Sequence, residues 1–90
     1  MPTIHLPDGL RRYAGGTASF EVPGHTVAEA LAAAFAAHPA LRVRLVTESG
    51  RVHRHLAVFR NEAELGRDHL AEETLAPGDR LTFLEAIGGG

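Results

Sequence analysis

Apolar and polar residues alternate in two short segments near the start of the chain, residues 3–6 and residues 17–22. In the second segment Phe20 and Val22 fall on one face, as they do in a strand with one buried side. Residues 13–16 contain two glycines and have the composition of a turn between the two segments. We therefore predict an N-terminal hairpin of two strands joined by a long loop.

A helical period replaces this alternation after residue 25. Thr26 and Glu29 have the spacing of a capping box, in which the hydroxyl and the carboxylate accept hydrogen bonds from backbone N–H groups at the start of a helix. Apolar residues then recur three and four positions apart, on one helical face: Val27, Ala30, Leu31, Ala34 and Phe35. Because Pro39 disfavours helical backbone at His38, we predict that the helix ends there and that a short helical turn follows near residues 41–46.

The second half of the chain contains two more strand patterns. Residues 52–59 alternate and favour a strand, and residues 80–86 alternate again after the turn signal at 77–79, which Asp79 is expected to complete. Between them, residues 60–76 are polar and irregular. Three leucines are expected to anchor this segment to the core: Leu65, Leu70 and Leu75.

The order strand, strand, helix, strand, strand is typical of an α+β protein in which a mixed sheet folds over a helix. We expect the β-grasp, or ubiquitin-like, fold, with four to five strands over one main helix. In this fold the first and last strands lie parallel at the centre of the sheet, so the chain leaves from the middle of the sheet. Residues 1–87 are accordingly predicted to form one β-grasp domain, and the three glycines at 88–90 a flexible C-terminal tail.

Composition excludes several classes of function. The chain has no cysteine, which rules out a disulfide framework, a thiolate metal site and a cysteine nucleophile. Its nine basic residues are all arginines, so no lysine side chain is present to accept an isopeptide bond. The formal net charge of −2 predicts no general attraction to nucleic acid. No apolar stretch approaches the roughly 20 residues that span a bilayer, and we expect a cytoplasmic protein that binds neither nucleic acid nor a membrane.

Three stretches of the sequence carry a resemblance to a known family: LRRYAGG at 10–16, TVAEALAAAFAAHPALRVRL at 26–45 and APGDRLTFLEAIGGG at 76–90. The chain resembles the ubiquitin-like sulfur carriers of the molybdopterin-synthase small-subunit and thiamine sulfur-carrier group. It is most similar to the longer members, which serve cysteine biosynthesis or thiocarboxylate-dependent secondary metabolism. The last stretch is the most specific, because a Gly-Asp turn, an alternating strand and a terminal Gly-Gly rarely occur together.

The resemblance implies a carrier rather than an enzyme. In the family, a ubiquitin-activating-like adenylating enzyme uses ATP to adenylate the C-terminal carboxylate, here that of Gly90, and a sulfur donor then displaces AMP to leave a thiocarboxylate. A sulfur-accepting synthase takes the sulfur, and the carrier itself binds no cofactor and no metal. Many relatives end in two glycines. Either the third glycine is tolerated, or a C-terminal processing metallopeptidase removes Gly90 and Gly89 becomes the working terminus.

Apolar residues near the last strand are candidate contacts with the adenylating enzyme. Phe59, Leu81 and Phe83 are expected to be exposed on one face of the sheet, and Ile87 and Gly88 to contact the partner together with the terminal glycines. The alternative is that the three sheet residues belong to the core. Alanine substitution separates the two roles, because it slows adenylation at a docking position, whereas at a buried phenylalanine it costs about 3–5 kcal/mol of stability.

Three other interpretations stay open. His53 and His55 have a spacing that can chelate a metal when a third ligand converges, although no third ligand is evident and solvated histidines are the more common case. The same terminus could join the chain to lysines of other proteins, as in a ubiquitin-like modifier. The chain could also be a noncatalytic β-grasp interaction module with an inert tail.

Overall fold

The computed structural model describes residues 1–85, in which a five-stranded mixed sheet packs with one main helix. The strands and α-helices have these bounds: β1 Thr3–His5, β2 Ser19–Glu21, α1 Val27–Ala37, α2 Leu41–Leu45, β3 Leu56–Arg60, β4 Ala63–Glu64 and β5 Arg80–Glu85. Two 3₁₀ helices are also present, Asp8–Ala14 and Leu70–Glu72. The strand order is β2-β1-β5-β3-β4, and the predicted β-grasp fold is confirmed.

The first and last strands lie side by side in the middle of this sheet. They run parallel, with Thr3 opposite Arg80, whereas β5 runs antiparallel to its other neighbour, β3, with Leu56 opposite Glu85. The C-terminal end of β5 therefore lies beside the start of β3, three residues beyond the last pair with β1, His5 with Thr82. This arrangement agrees with the sequence-based expectation that the chain leaves the sheet from its centre.

Helix α1 begins at the predicted cap. The Thr26 hydroxyl accepts a hydrogen bond from the backbone N–H of Glu29 at 3.1 Å. The Glu29 carboxylate accepts from the N–H of His25 at 2.7 Å, so the return bond of the capping box reaches the residue before the cap. Four of the five apolar positions predicted on the inner face are buried, and Phe35 is half-buried and packs against the core.

The core lies between this helix and one face of the sheet. Its most completely buried large apolar side chains in helices and strands come from five elements: Ile4, Val27, Leu41, Leu45, Leu56, Val58, Leu81 and Phe83. The three leucines predicted to anchor residues 60–76 are also buried, which confirms that prediction. Within that otherwise irregular segment the chain adds the short edge strand β4, which the sequence pattern did not predict.

The strand predicted at residues 52–59 begins only at Leu56, so the first half of that prediction was wrong. Within residues 52–55 the chain makes a single bridge, between Val52 and Val46. The side chain of Arg67 accounts for this conformation, since its guanidinium donates hydrogen bonds to several backbone carbonyls and holds the segment as a loop. The accepting residues are Val52, His53, Arg54 and Leu56.

The loop between β1 and β2 is more regular than the sequence suggested. Most of it forms the first 3₁₀ helix, Asp8–Ala14, and the predicted turn follows at Gly15. Gly15 has a φ of 69°, a left-handed conformation that glycine adopts without steric cost. In residues 1–85 no helix is both long enough and apolar enough to cross a membrane.

Candidate functional site

The C-terminal end of β5 is the part of the described structure closest in sequence to the glycines predicted to react. Glu85, the last described residue, pairs with Leu56, and the strand is hydrogen-bonded on both sides, to β1 and to β3. The pairing with β1 covers Arg80 to Thr82, and the end of β5 at Glu85 is held by its pairing with β3. The predicted functional residues Ile87, Gly88, Gly89 and Gly90 lie outside the described residues, and their roles stay predictions.

Two of the three docking residues predicted within the sheet are part of the core. Leu81 and Phe83 have no exposed surface, so the expectation that they present an apolar surface to a partner was wrong. Their side chains project from β5 to the same side as Val58, which is opposite Phe83 and is also buried. The physical reason is the pleat: alternate residues of a strand face opposite sides of the sheet, and this set faces the helix.

The third predicted docking residue, Phe59, lies on the other face of the sheet. It is half-buried and stands opposite Thr82, while the neighbouring pair on this face is Ala57 and Leu84. Leu84 is 46% exposed, which makes it one of the few large apolar side chains that the described surface presents. We call Ala57, Phe59 and Leu84 the outer-face patch. Leu84 was not among the predicted contacts, although its place opposite Leu81 and Phe83 in the alternation was a usable signal.

The turn before β5 is held by one carboxylate. Asp79 accepts hydrogen bonds from the backbone N–H of Ala76 at 2.8 Å and from the side-chain amide of Asn61 at 3.1 Å. The backbone hydrogen bond from Ala76, followed by that from Asn61, lowers the pKa of Asp79 below its ordinary value of 3.8. These contacts agree with the expectation that Asp79 completes the turn after Gly78, and they fix the start of β5, at the opposite end from Glu85.

The two histidines considered as metal ligands lie in the loop before β3 rather than in a strand. Their rings stack with centroids 5.4 Å apart, and His53 Nε2 donates a hydrogen bond to the carbonyl of Val43 at 2.9 Å. No cluster of three or more potential ligands among histidine, cysteine, aspartate and glutamate occurs in residues 1–85. The described structure therefore gives the pair no third ligand.

A central parallel β1–β5 pair, a helix across one face and a chain that leaves from the middle of the sheet define a ubiquitin-like β-grasp protein. A sequence model of the ThiS family matches residues 4–90, and the chain belongs to this family of ubiquitin-like sulfur carriers. The resemblance inferred from the sequence is thereby confirmed.

Curated relatives and solved structures agree with this assignment. The chain is 28% identical over 90 residues to the sulfur carrier protein CysO of Mycobacterium tuberculosis, covering 98% of this chain and 97% of the relative. It is 37% identical over 65 residues to small archaeal modifier protein 1 of Haloferax volcanii, covering 72% of this chain and 70% of the relative. A chain in the crystal structure of the Amycolatopsis orientalis BexX/CysO complex superposes with a TM-score of 0.88 at 33% identity, covering 100% of both chains.

Proposed function

We propose that this ThiS-family protein carries sulfur as a thiocarboxylate on the C-terminal carboxyl of Gly90. The observation that carries the proposal is the extent of the family match, which continues from residue 4 through residue 90 and so includes all three terminal glycines. A second support is the central position of β5, whose last described residue precedes Gly90 by only five positions. The relatives' names describe a sulfur carrier and a modifier, two roles in which a small protein is acted on by other proteins.

The chemistry needs no side chain of this protein. The ionised carboxylate of Gly90 attacks the α-phosphorus of ATP on the adenylating enzyme, pyrophosphate leaves, and an acyl adenylate forms. A sulfur nucleophile then attacks the acyl carbon, the C–O bond to AMP breaks, and the thiocarboxylate remains. Glycines at 88–90 lack a Cβ and fit a narrow channel to such an active site. Because the partner uses ATP, we expect the reaction in the cytoplasm.

The outer-face patch is the proposed docking surface for the adenylating enzyme. Phe59 and Leu84 present apolar surface on the side of the sheet away from the helix, near the end of β5 from which the reacting terminus continues. Ile87 and Gly88 would extend that contact toward the active site. A sulfur-accepting synthase is the second proposed partner, and a metallopeptidase is required only if Gly89 is the working terminus.

The proposal is tested by mass spectrometry of the intact protein after incubation with ATP, its adenylating enzyme and a sulfide source. Replacement of one terminal oxygen by sulfur raises the mass by about 16 Da. Fragmentation should place the added mass on Gly90, or on Gly89 if the chain is first trimmed. The control is a second carrier protein on which the adenylating enzyme is active. If that carrier is modified and the mass of this chain stays unchanged, the proposal is contradicted and a noncatalytic interaction module is favoured.

A second function, conjugation to other proteins, is favoured by the 37% identity to small archaeal modifier protein 1. The same activated terminus would then form an isopeptide bond with a lysine amine of a target. Because this chain has no lysine, its side chains cannot accept a second copy through such a bond. Conjugates of higher mass in the same assay, supplemented with cell extract, would support this function in place of sulfur transfer.

A further inference from the structure

A shallow concavity of about 400 Å³ lies beside the C-terminal end of β5. The first 3₁₀ helix reaches it because it follows β1, which runs parallel to β5, and residues 53–55 reach it because they precede the antiparallel β3. Helix α2 packs against the first 3₁₀ helix and completes the wall. Five side chains that line the concavity are called the basic rim: Arg12, Tyr13, Arg44, His53 and His55.

Tyr13 sets the position of two positive charges on this rim. The guanidinium carbon of Arg44 lies 4.4 Å from the centre of the Tyr13 ring, and that of Arg12 lies 5.0 Å from the same point. Both distances are within the range of cation–π attraction. The ring itself is half-buried and packs against the core. Two arginines from different segments are therefore gathered around one anchored aromatic side chain.

Neither guanidinium has a salt bridge or a side-chain hydrogen bond with any described residue. Three other arginines do have such partners: Arg11 pairs with Asp8 at 2.7 Å, Arg60 pairs with Glu73 at 3.5 Å, and Arg67 binds backbone carbonyls. A guanidinium over an aromatic ring can still use its N–H groups, whose planar fork matches a carboxylate. Arg12 and Arg44 are both exposed, so their donors are accessible to a carboxylate from another molecule.

The other lining residues connect the segments that form the concavity. His53 ties the loop before β3 to α2 through its hydrogen bond to the carbonyl of Val43. Glu85 is the one carboxylate residue among the lining residues, against two arginines and two histidines. With histidine counted as neutral, the two arginines and one glutamate give the lining a formal charge of +1, in contrast with −2 for the whole chain. A locally positive surface thus lies at the end of the sheet where Glu85 is the last described residue.

We infer that the basic rim docks on an acidic protein surface that surrounds the entrance to the adenylating enzyme's active site. This inference rests on the proposed function, because it assumes that Gly90 enters that site. Five residues, 86–90, span at most about 18 Å when fully extended. A partner that holds Gly90 in its active site must therefore approach to within that distance of Glu85, which lines the same concavity as Arg12 and Arg44. The planar N–H forks of Arg12 and Arg44 match carboxylates on the protein surface around that entrance.

The test compares adenylation of the R12E/R44E variant with that of the R42E/R80E variant by an adenylating enzyme shown to act on the wild-type chain. Both variants change the net charge equally, and Arg42 lies on the same helix as Arg44 with its guanidinium 5.9 Å from the ring of Phe35. We expect R12E/R44E to raise the KM for the carrier about tenfold or more with little change in kcat. The KM of the control should stay within about twofold, and the effect should shrink at high salt.

Each alternative gives a different result. An unchanged carrier KM in folded R12E/R44E contradicts the rim proposal and leaves the proposed function intact, whereas no adenylation of the wild-type chain contradicts both. An equal rise in the carrier KM of R42E/R80E indicates a general charge effect. If R12E/R44E raises only the KM for ATP, the two arginines recognise the nucleotide. If R12E/R44E lowers the carrier KM, the rim holds the chain's own terminus. Each of these outcomes also contradicts the proposal. If circular dichroism shows that R12E/R44E is unfolded, R12Q/R44Q replaces it and should still raise the KM.

Discussion

At the scale of single residues, Asp79 joins two segments of the chain. Its carboxylate accepts from Ala76 and Asn61, while the Asn61 side-chain oxygen accepts the backbone N–H of Arg80 at 2.9 Å. The hairpin turn after β3 is thereby linked to the turn before β5. Sequence analysis predicted that Asp79 closes its own turn, but the partner Asn61, 18 positions earlier, has no local signal in the sequence.

The Asp79→Asn substitution should remove a pH-dependent part of the stability. Because hydrogen bonds lower the folded-state pKa of this carboxyl, its contribution is present above the ordinary value of 3.8 and is lost as the pH falls through the lowered pKa. The difference in urea midpoint between wild type and D79N should therefore be largest near neutral pH and shrink below about pH 4. A difference that is constant from pH 7 to pH 2 would show that the carboxylate's charge is not involved.

At the scale of elements, the two faces of β5 have different roles. Leu81 and Phe83 pack in the core on one face, while Leu84 lies on the outer face beside the residues of β3. The same strand therefore supplies both the anchor of the sheet and part of the proposed docking surface. This separation allows the two roles to be tested by substitutions one residue apart.

Phe83→Ala should lower the free energy of unfolding by about 3–5 kcal/mol, because it leaves a cavity in the core. Leu84→Ala should change that free energy by less than about 1 kcal/mol, because the side chain is 46% exposed, yet it should raise the KM for the carrier in the adenylation assay. Urea unfolding and initial rates measure the two quantities. A large loss of stability in L84A, or a KM equal to that of wild type, would contradict the division of roles.

The main elements could be predicted because their determinants are local. The cap at Thr26, the spacing of apolar residues in α1 and the alternation in β5 are all read within a few neighbouring positions. The strand predicted at 52–59 failed because Arg67, a distant residue, binds the carbonyls that precede Leu56. Alternation also leaves undetermined which face of β5 the helix covers. For this reason Leu81 and Phe83 were misassigned as docking residues.

At the scale of the whole molecule, the candidate site depends on topology. The parallel pairing of β1 with β5 brings the first 3₁₀ helix, and with it Arg12 and Tyr13, to the end of the sheet where Glu85 lies. Arg44 and His53 arrive there from two other segments. Sequence analysis predicted a role for the terminal glycines because they form a contiguous motif. It missed the basic rim beside Glu85, because residues so far apart in sequence carry no common motif.

The central claim is that the reactive group belongs to the terminal glycines and that the folded body of residues 1–85 serves to present it. The most direct measurement removes Gly89 and Gly90, the two candidate working termini, and follows both adenylation and thermal unfolding of the shortened chain. We predict no adenylated or thiocarboxylated product and an unfolding midpoint within about 3 °C of wild type. Continued activation of the shortened chain, or a large fall in its midpoint, would contradict the account.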